Sequence, residues 1–294
     1  MADSYRGFKS KEGYELYQSA YQKVMKLWET PYQERIITTT FGDISVLECG
    51  NQDKEPLLFF HAFGFSSAEW YKCAEELADE FKLYFVDVLG EFNQSNTKEH
   101  LNEREDYIMW ITELLNELKI AKVTIVGHSN GGWHALNFAI LKPDRVKSLI
   151  VFSPAASIKR MNLSFYSRLL LTNLIPSESV IISQFCRWLT VKKEEGQERL
   201  FKLYYLGQKH VTWEYVMTPP KLFKDHELDT LMMPVHIAVG RDEVIYDPYT
   251  LLKKAEDKIR GCKTHMFDSG GHMLPIEIPG EVSSFIKKVL ADIK

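Results

Sequence analysis

The hydrophobic positions of this chain change rhythm twice. Near the N-terminus Tyr14, Tyr17, Tyr21, Val24, Met25 and Trp28 recur at three- and four-residue intervals, which predicts one amphipathic helix from about Lys11 to Glu29, closed by Pro31. Two β-branched runs, Arg35 to Thr40 and Ile44 to Cys49, then flank Phe41-Gly42-Asp43 and predict a hairpin. Beyond it, continuous apolar runs alternate with amphipathic stretches. Leu57 to Phe60, Leu83 to Val86, Val123 to Val126 and Val146 to Phe152 read as strands, separated by helices over Ser66 to Glu80, Arg104 to Leu118 and Gly131 to Leu141. A strand that is apolar at every position is buried on both faces, so these runs predict a parallel sheet covered by helices on both sides.

Between Pro154 and Pro234 the strand pattern is lost. Helical stretches take its place at Phe165 to Leu174, Val180 to Leu189 and Glu198 to Leu206. The alternation then resumes, with a strand at Val235 to Val239, a helix at Pro248 to Ile259, a strand at Thr264 to Phe267 and a last helix at Glu281 to Ile293. The pattern divides the chain into an N-terminal helical extension (1–33), an α/β core (34–153 and 234–294) and a helical insertion (154–233). The N-terminal helix is expected to pack on the sheet.

Composition narrows the function by exclusion. With 294 residues, 45% hydrophobic and 26% charged, the chain is an ordinary globular protein able to bury a full core. Its formal net charge of −4, with no RNP, zinc-finger or Walker A pattern, argues against a nucleic-acid partner and for a small-molecule substrate. The N-terminus lacks the layout of a secretory signal and no apolar run reaches the ~18 residues of a membrane span, so no membrane partner and a cytoplasmic location are expected. The four cysteines form no CxxC pair and the nine histidines no HExxH, so neither a metal nor another cofactor is expected.

The chemistry concentrates at Gly127-His128-Ser129-Asn130-Gly131, a GxSxG pattern. Five residues of this kind recur by chance in unrelated chains, so the flanks decide its meaning. A buried strand, Val123 to Val126, runs directly into it and a helix leaves directly after it, the strand–turn–helix arrangement in which a serine is lifted above the edge of a sheet. Small residues two positions away on either side let such a turn close, and the N-terminus of the following helix directs its free N–H groups at the place where an oxyanion would form. A serine hydroxyl is a poor nucleophile until a base takes its proton. Of the histidines, His272 follows the last strand in Gly270-Gly271-His272, where glycines free the loop to bring the ring over the sheet edge. His128 and His134 are close in sequence to Ser129 but point the wrong way for a base.

These segments resemble the α/β-hydrolase family. Leu57-Leu-Phe-Phe-His61-Ala62-Phe63-Gly64 is similar to its strand followed by HGxG, with Ala62 where the family has glycine, and Asp87-Val-Leu-Gly90-Glu91-Phe-Asn-Gln-Ser95 is similar to its DxxGxGxS turn. The resemblance implies an α/β-hydrolase fold, with a mostly parallel sheet, an antiparallel first hairpin and a helical lid formed by the insertion. It implies Ser129 as nucleophile, His272 as base, and the backbone N–H groups of Phe63 and Asn130 as the oxyanion hole. If the Ala62 position needs a positive φ, that alanine is strained. His61 is expected to brace the oxyanion loop, and the Asp87 to Ser95 turn to shape it without doing chemistry.

The family's acid follows the strand at Val235. Counted from Gly240, the GxxD turn places it at Glu243, with Asp242 the alternative and Asp247 a further rival. The order Ser129, Glu243, His272 is the family's order. The implied activity is hydrolysis of a small or medium carboxylic ester through an acyl-enzyme. A small-molecule sensor on the same fold, and lactonase, thioesterase, perhydrolase or C–C hydrolase chemistry, stay open as alternatives. Most apolar residues of the lid, from Phe165 and Phe185 to Tyr204 and Trp213, are expected to form its own core, with a minority facing the pocket.

Overall fold

The computed structural model describes residues 7–212 and 219–293. Trp213 lies outside the described residues. Among the described residues nine strands form one sheet: β1 (Tyr32–Thr39), β2 (Gly42–Gly50), β3 (Pro56–Phe60), β4 (Lys82–Val86), β5 (Asn96–Thr97), β6 (Val123–His128), β7 (Val146–Phe152), β8 (Val235–Gly240) and β9 (Lys263–Phe267). Their spatial order is β1-β2-β4-β3-β6-β7-β8-β9, with β5 paired to β2. The pairs β1/β2, β2/β4 and β2/β5 are antiparallel and all the others parallel. This is the mostly parallel sheet with an antiparallel start that the alternation predicts. Every residue of β6 and of β8 is buried, so both faces of the sheet centre are covered.

Eleven α-helices accompany the sheet among the described residues: α1 (Lys11–Met25), α2 (Tyr71–Leu77), α3 (Arg104–Glu117), α4 (Asn130–Leu141), α5 (Leu163–Leu174), α6 (Glu178–Ile181), α7 (Gln197–His210), α8 (Asp225–Leu228), α9 (Pro248–Lys258), α10 (Leu274–Glu277) and α11 (Pro279–Ile293). Around the core α2 packs with α11 and α3 with α4, while α9 lies against β8 and β9. The chain between β7 and β8 carries α5 to α8 and no strand among its described residues.

Three local expectations differ in form. The helix predicted over Ser66 to Glu80 is a 3-10 turn, Ser67–Trp70, followed by the short α2. Ser66 has φ 61° and the Ser67 N–H donates to Asp87 Oδ1 at 2.7 Å, so tertiary hydrogen bonds hold the entry out of α geometry. The stretch Val180 to Leu189 is α6 running into a π turn and a 3-10 turn. The N-terminal helix ends at Met25 and packs chiefly on α7 of the insertion, with the Tyr17 hydroxyl donating to the Phe92 carbonyl at 2.7 Å. The sheet is the expected partner; the stripe predicts burial, but which surface covers it is set by α7 of the insertion lying across it. Trp28, just beyond the helix, meets the sheet edge-on at Phe85 of β4 and Tyr32 of β1.

The helix α4 approaches β3 closely. A Cβ at Gly131 would stand 2.2 Å from the Phe60 carbonyl oxygen and 2.7 Å from that of His61, both backbone atoms that cannot step aside. Gly131→Ala is therefore expected to lower the unfolding free energy by about 1–3 kcal/mol or more through overpacking. Urea unfolding checks this, and an unchanged midpoint would contradict it.

Candidate active site

Ser129 sits between β6 and α4 with φ 53° and ψ −113°. A non-glycine residue there carries about 1–3 kcal/mol of strain, so its surroundings must hold it. Its N–H donates to the Phe152 carbonyl at the end of β7 (2.9 Å), and its carbonyl accepts from Trp133 N–H (3.2 Å) and Ala155 N–H (3.1 Å). The flanking glycines are required sterically, since a Cβ at Gly127 would meet the Gly131 carbonyl oxygen at 2.5 Å.

His272 reaches Ser129 from the loop after β9, where Gly270 adopts φ 113°. Its N–H donates to the Leu189 carbonyl in the insertion at 2.8 Å, and its own carbonyl lies 2.8 Å from His128 Nε2. The backbone is thus fixed from both sides. The buried ring places Nε2 at 2.8 Å from Ser129 Oγ and Nδ1 at 2.9 Å from Glu243 Oε2.

Glu243 is the carboxylate that the structure brings to His272. Its Oε1 also accepts from the N–H groups of Val244 (2.9 Å) and Ile245 (3.0 Å). Burial alone would raise its pKa, but the His272 charge and these donated bonds outweigh burial and hold the carboxyl below its ordinary value. Asp242 is exposed, its N–H tied to the Gly270 carbonyl, and Asp247 caps α9 by accepting from Thr250 N–H at 2.8 Å.

Phe63 and Asn130 line the same cavity as Ser129 and His272. Ala62 does not have the positive φ that would strain it. The left-handed residue is Gly64, at φ 76°, where a Cβ would come within 2.8 Å of the Tyr204 ring. His61 braces this loop as expected: its Nδ1 lies 2.8 Å from the Ala62 carbonyl oxygen, and its Nε2 accepts from Val88 N–H at 3.1 Å. The Asp87 turn is tied internally, with Asp87 Oδ2 accepting from Gln94 N–H and the Ser95 hydroxyl donating to the Asp87 carbonyl.

Two buried carboxylates of the site escape a sequence reading. Glu69 Oε1 accepts from Ala62 N–H at 3.1 Å and lies 3.1 Å from His128 Nδ1. Burial opposes a charge on His128, but Glu69 prevails and raises its pKa. Glu91 Oε2 accepts from Gly64 N–H at 2.8 Å, and its Oε1 from Asn130 Nδ2 at 2.7 Å. The one signal in the sequence is that Glu91 puts a second charge, after Asp87, inside a turn otherwise made of small, apolar and amide residues. His134 is buried behind Asn130, and burial pushes its pKa down to about 3, so the ring is neutral.

The cavity above Ser129 measures about 290 Å³. Phe165, Tyr166, Leu169 and Phe185 of the insertion line it together with Ile245 and Met273, whereas Phe201 and Tyr204 are buried against Phe65 of the loop after β3. Among the described residues no cluster of three or more His, Cys, Asp or Glu could hold a metal ion, and no helix is long and apolar enough to cross a membrane.

The sequence model of the alpha/beta hydrolase fold matches residues 55–279, well over half of the chain. The chain belongs to the α/β-hydrolase family. It is 29% identical over 280 residues to a Bacillus subtilis protein named uncharacterized carboxylesterase nap, covering 92% of this chain and 91% of that one. It is 26% identical to carboxylesterase YbfK of the same organism, over 99% of this chain and 98% of the relative. The crystal structure of naproxen esterase (carboxylesterase NP) from Bacillus subtilis superposes with a TM-score of 0.88 at 26% identity, covering 96% of this chain and 99% of that one. For this α/β-hydrolase, the lowered pKa of Glu243 has a consequence for stability. A carboxylate whose folded pKa lies below its unfolded value of about 4.5 stabilises the fold above that value and ceases to as pH falls through the folded one. The difference in unfolding free energy between the wild type and Glu243→Gln is therefore expected to shrink as pH falls from 7 to below 4.5. Urea titrations at the two pH values measure it, and a constant difference would contradict the assignment.

Proposed function

We propose that this protein hydrolyses small to medium carboxylic esters, with Ser129 as nucleophile, His272 as base and then acid, and Glu243 orienting the imidazole. The observation that carries the reading is the continuous hydrogen-bonded line from Ser129 Oγ through His272 to Glu243, at 2.8 and 2.9 Å. Ser129 Oγ bonds to the ester carbonyl carbon while its proton passes to His272 Nε2. The carbonyl oxygen becomes an oxyanion, which the N–H groups of Phe63 and Asn130 receive. As the tetrahedral intermediate collapses, the C–O bond to the alcohol breaks and His272 returns the proton to the leaving oxygen. Water, deprotonated by the same ring, then attacks the acyl-enzyme and releases the acid with Ser129 reprotonated. Glu243 stabilises the imidazolium at each proton transfer and stays ionised.

The likeness to two carboxylesterases over nearly their whole length supports the ester as substrate. We assign residues 154–233 as a cap, because it supplies the apolar wall of the cavity, and residues 1–33 as an extension seated on that cap. The cavity favours an uncharged ester with an aliphatic or aryl group, because its wall presents aromatic and aliphatic side chains and a carboxylate would be desolvated there without a partner. The reading places the enzyme in the cytoplasm, where its four free cysteines would stay reduced.

A series of neutral p-nitrophenyl esters tests this. Ser129→Ala is expected to lower kcat/KM by about 10³-fold or more, and Glu243→Ala by about 10- to 10⁴-fold, with Asp242→Ala within about twofold of wild type. Near-wild-type turnover by Ser129→Ala would overturn the mechanism. Rapid fluorophosphonate labelling of Ser129 without turnover of any ester would favour a binding protein instead.

A further inference from the structure

Glu91 is a carboxylate buried without contact with the cavity, and the proposed acyl-transfer chemistry has no use for it. Its side chain has 0% exposure. The turn after β4 carries it between the two segments that form the oxyanion hole. From one side Gly64 N–H, next in sequence to Phe63, donates to Oε2 at 2.8 Å; from the other the Asn130 side-chain amide donates to Oε1 at 2.7 Å. One carboxylate therefore joins the loop after β3 to the first turn of α4. We propose that Glu91, in its ionised form, is the positioning residue of the oxyanion hole, setting the separation and aim of the Phe63 and Asn130 N–H groups. The proposal rests on the serine-hydrolase reading of the site.

The surroundings explain why charge matters. On the β3 loop His61 Nδ1 lies 3.6 Å from Oε2, and on α4 His134 Nε2 lies 4.0 Å from Oε1. The His61 proton on Nδ1 is directed at the Ala62 carbonyl, because its Nε2 accepts from Val88 N–H. Tyr204 of α7 is held neutral by burial, then by Cys186 and Glu91, and Glu69 adds a second negative charge near Glu91. Among the described residues no lysine or arginine forms an ion pair with Glu91. The ionised carboxylate accepts both bonds at full strength, but protonation turns one oxygen into a hydroxyl, a weaker acceptor, and weakens one of them.

Burial raises the Glu91 pKa to about 7, against the attraction of His61 and the bonds from Gly64 and Asn130, which favour the charge. Between about 4.5 and 7 the folded protein keeps a proton on this carboxyl that the unfolded chain has released. Stability attributable to Glu91 therefore falls as pH rises through that window. The same rise in pH creates the carboxylate that braces the hole. Fold stability and oxyanion geometry move in opposite directions at this one residue.

The pH profile of kcat/KM on a neutral p-nitrophenyl ester, for wild type and Glu91→Gln, tests the proposal. In the wild type two protonations, on His272 and on Glu91, should suppress the rate on the acid side, steepening the limb toward a log–log slope of about two. In Glu91→Gln the slope should return to about one. That variant turns an amide N–H toward a donor, so at pH 8 its kcat should fall about 10- to 100-fold with KM within about threefold. Its melting temperature should also lack the wild type's decline between pH 5 and 8, a readout that simple loss of packing would not produce. An acid limb of slope one in the wild type, or a kcat for Glu91→Gln within twofold of wild type at pH 8, would overturn the proposal. If the variant does not fold, the wild-type profile decides alone. Turnover by Ser129→Ala would overturn the serine-hydrolase reading itself, whereas an inactive Ser129→Ala beside an unaffected Glu91→Gln would overturn only the role of Glu91.

Discussion

The turn at Ser129 is the constraint on which the rest of the structure depends. A residue with a Cβ is held there at φ 53°, and the strain persists because β7 accepts the Ser129 N–H and two further N–H groups bind its carbonyl. The turn closes only because α4 runs almost in contact with β3, at a distance that Gly127 and Gly131 alone permit. Once α4 is pressed onto the sheet in this way, the start of α4, the end of β3 and the end of β7 converge on one point. The remaining components of the site are delivered to that point by loops after β3, β4, β8 and β9.

Loops have no ladder to hold them, and here buried carboxylates take that role. Asp87 fastens the β4 turn to Ser67, Glu69 ties the loop after β3 to His128, and Glu91 joins that loop to α4. Glu277 does the same for the histidine loop, accepting from Gly271 N–H at 3.0 Å and from Val191 N–H at 2.7 Å. An unsatisfied buried carboxylate would be costly, so each of these groups specifies its partners sharply. The pattern also links core and insertion: Glu277 and the His272 N–H both bind backbone of the segment at 189–192. The base of the proposed reaction is thus held in part by the segment that covers it.

That segment also sets the polarity of the site. With Phe165, Leu169 and Phe185 in its wall, the cavity presents an apolar surface beside Ser129, where the proposed reaction passes through an oxyanion. Low local polarity strengthens the hydrogen bonds that stabilise such a charge. The α1 helix takes part indirectly, since it packs on α7, which supplies Tyr204 to the wall around Gly64.

The sequence by itself determined the alternation of strands and helices, the hairpin start, the helical stretch between β7 and β8, and the segments that carry Ser129 and His272. Each of these is written in a local signal: apolar runs, periodicity, or glycines beside a serine or histidine. The choice between Glu243 and Asp242 was not local, because a one-residue step in a turn reverses which side chain faces inward; only the tertiary structure put Glu243 within 2.9 Å of His272 and left Asp242 exposed. The same holds for Ala62, whose backbone conformation was decided by Gly64 taking the left-handed position two residues later. Glu69 and Glu91 read in the sequence as ordinary charges, since burial is a property of the assembled fold. What makes them components of the site is that β3, β4 and α4, distant along the chain, close around them.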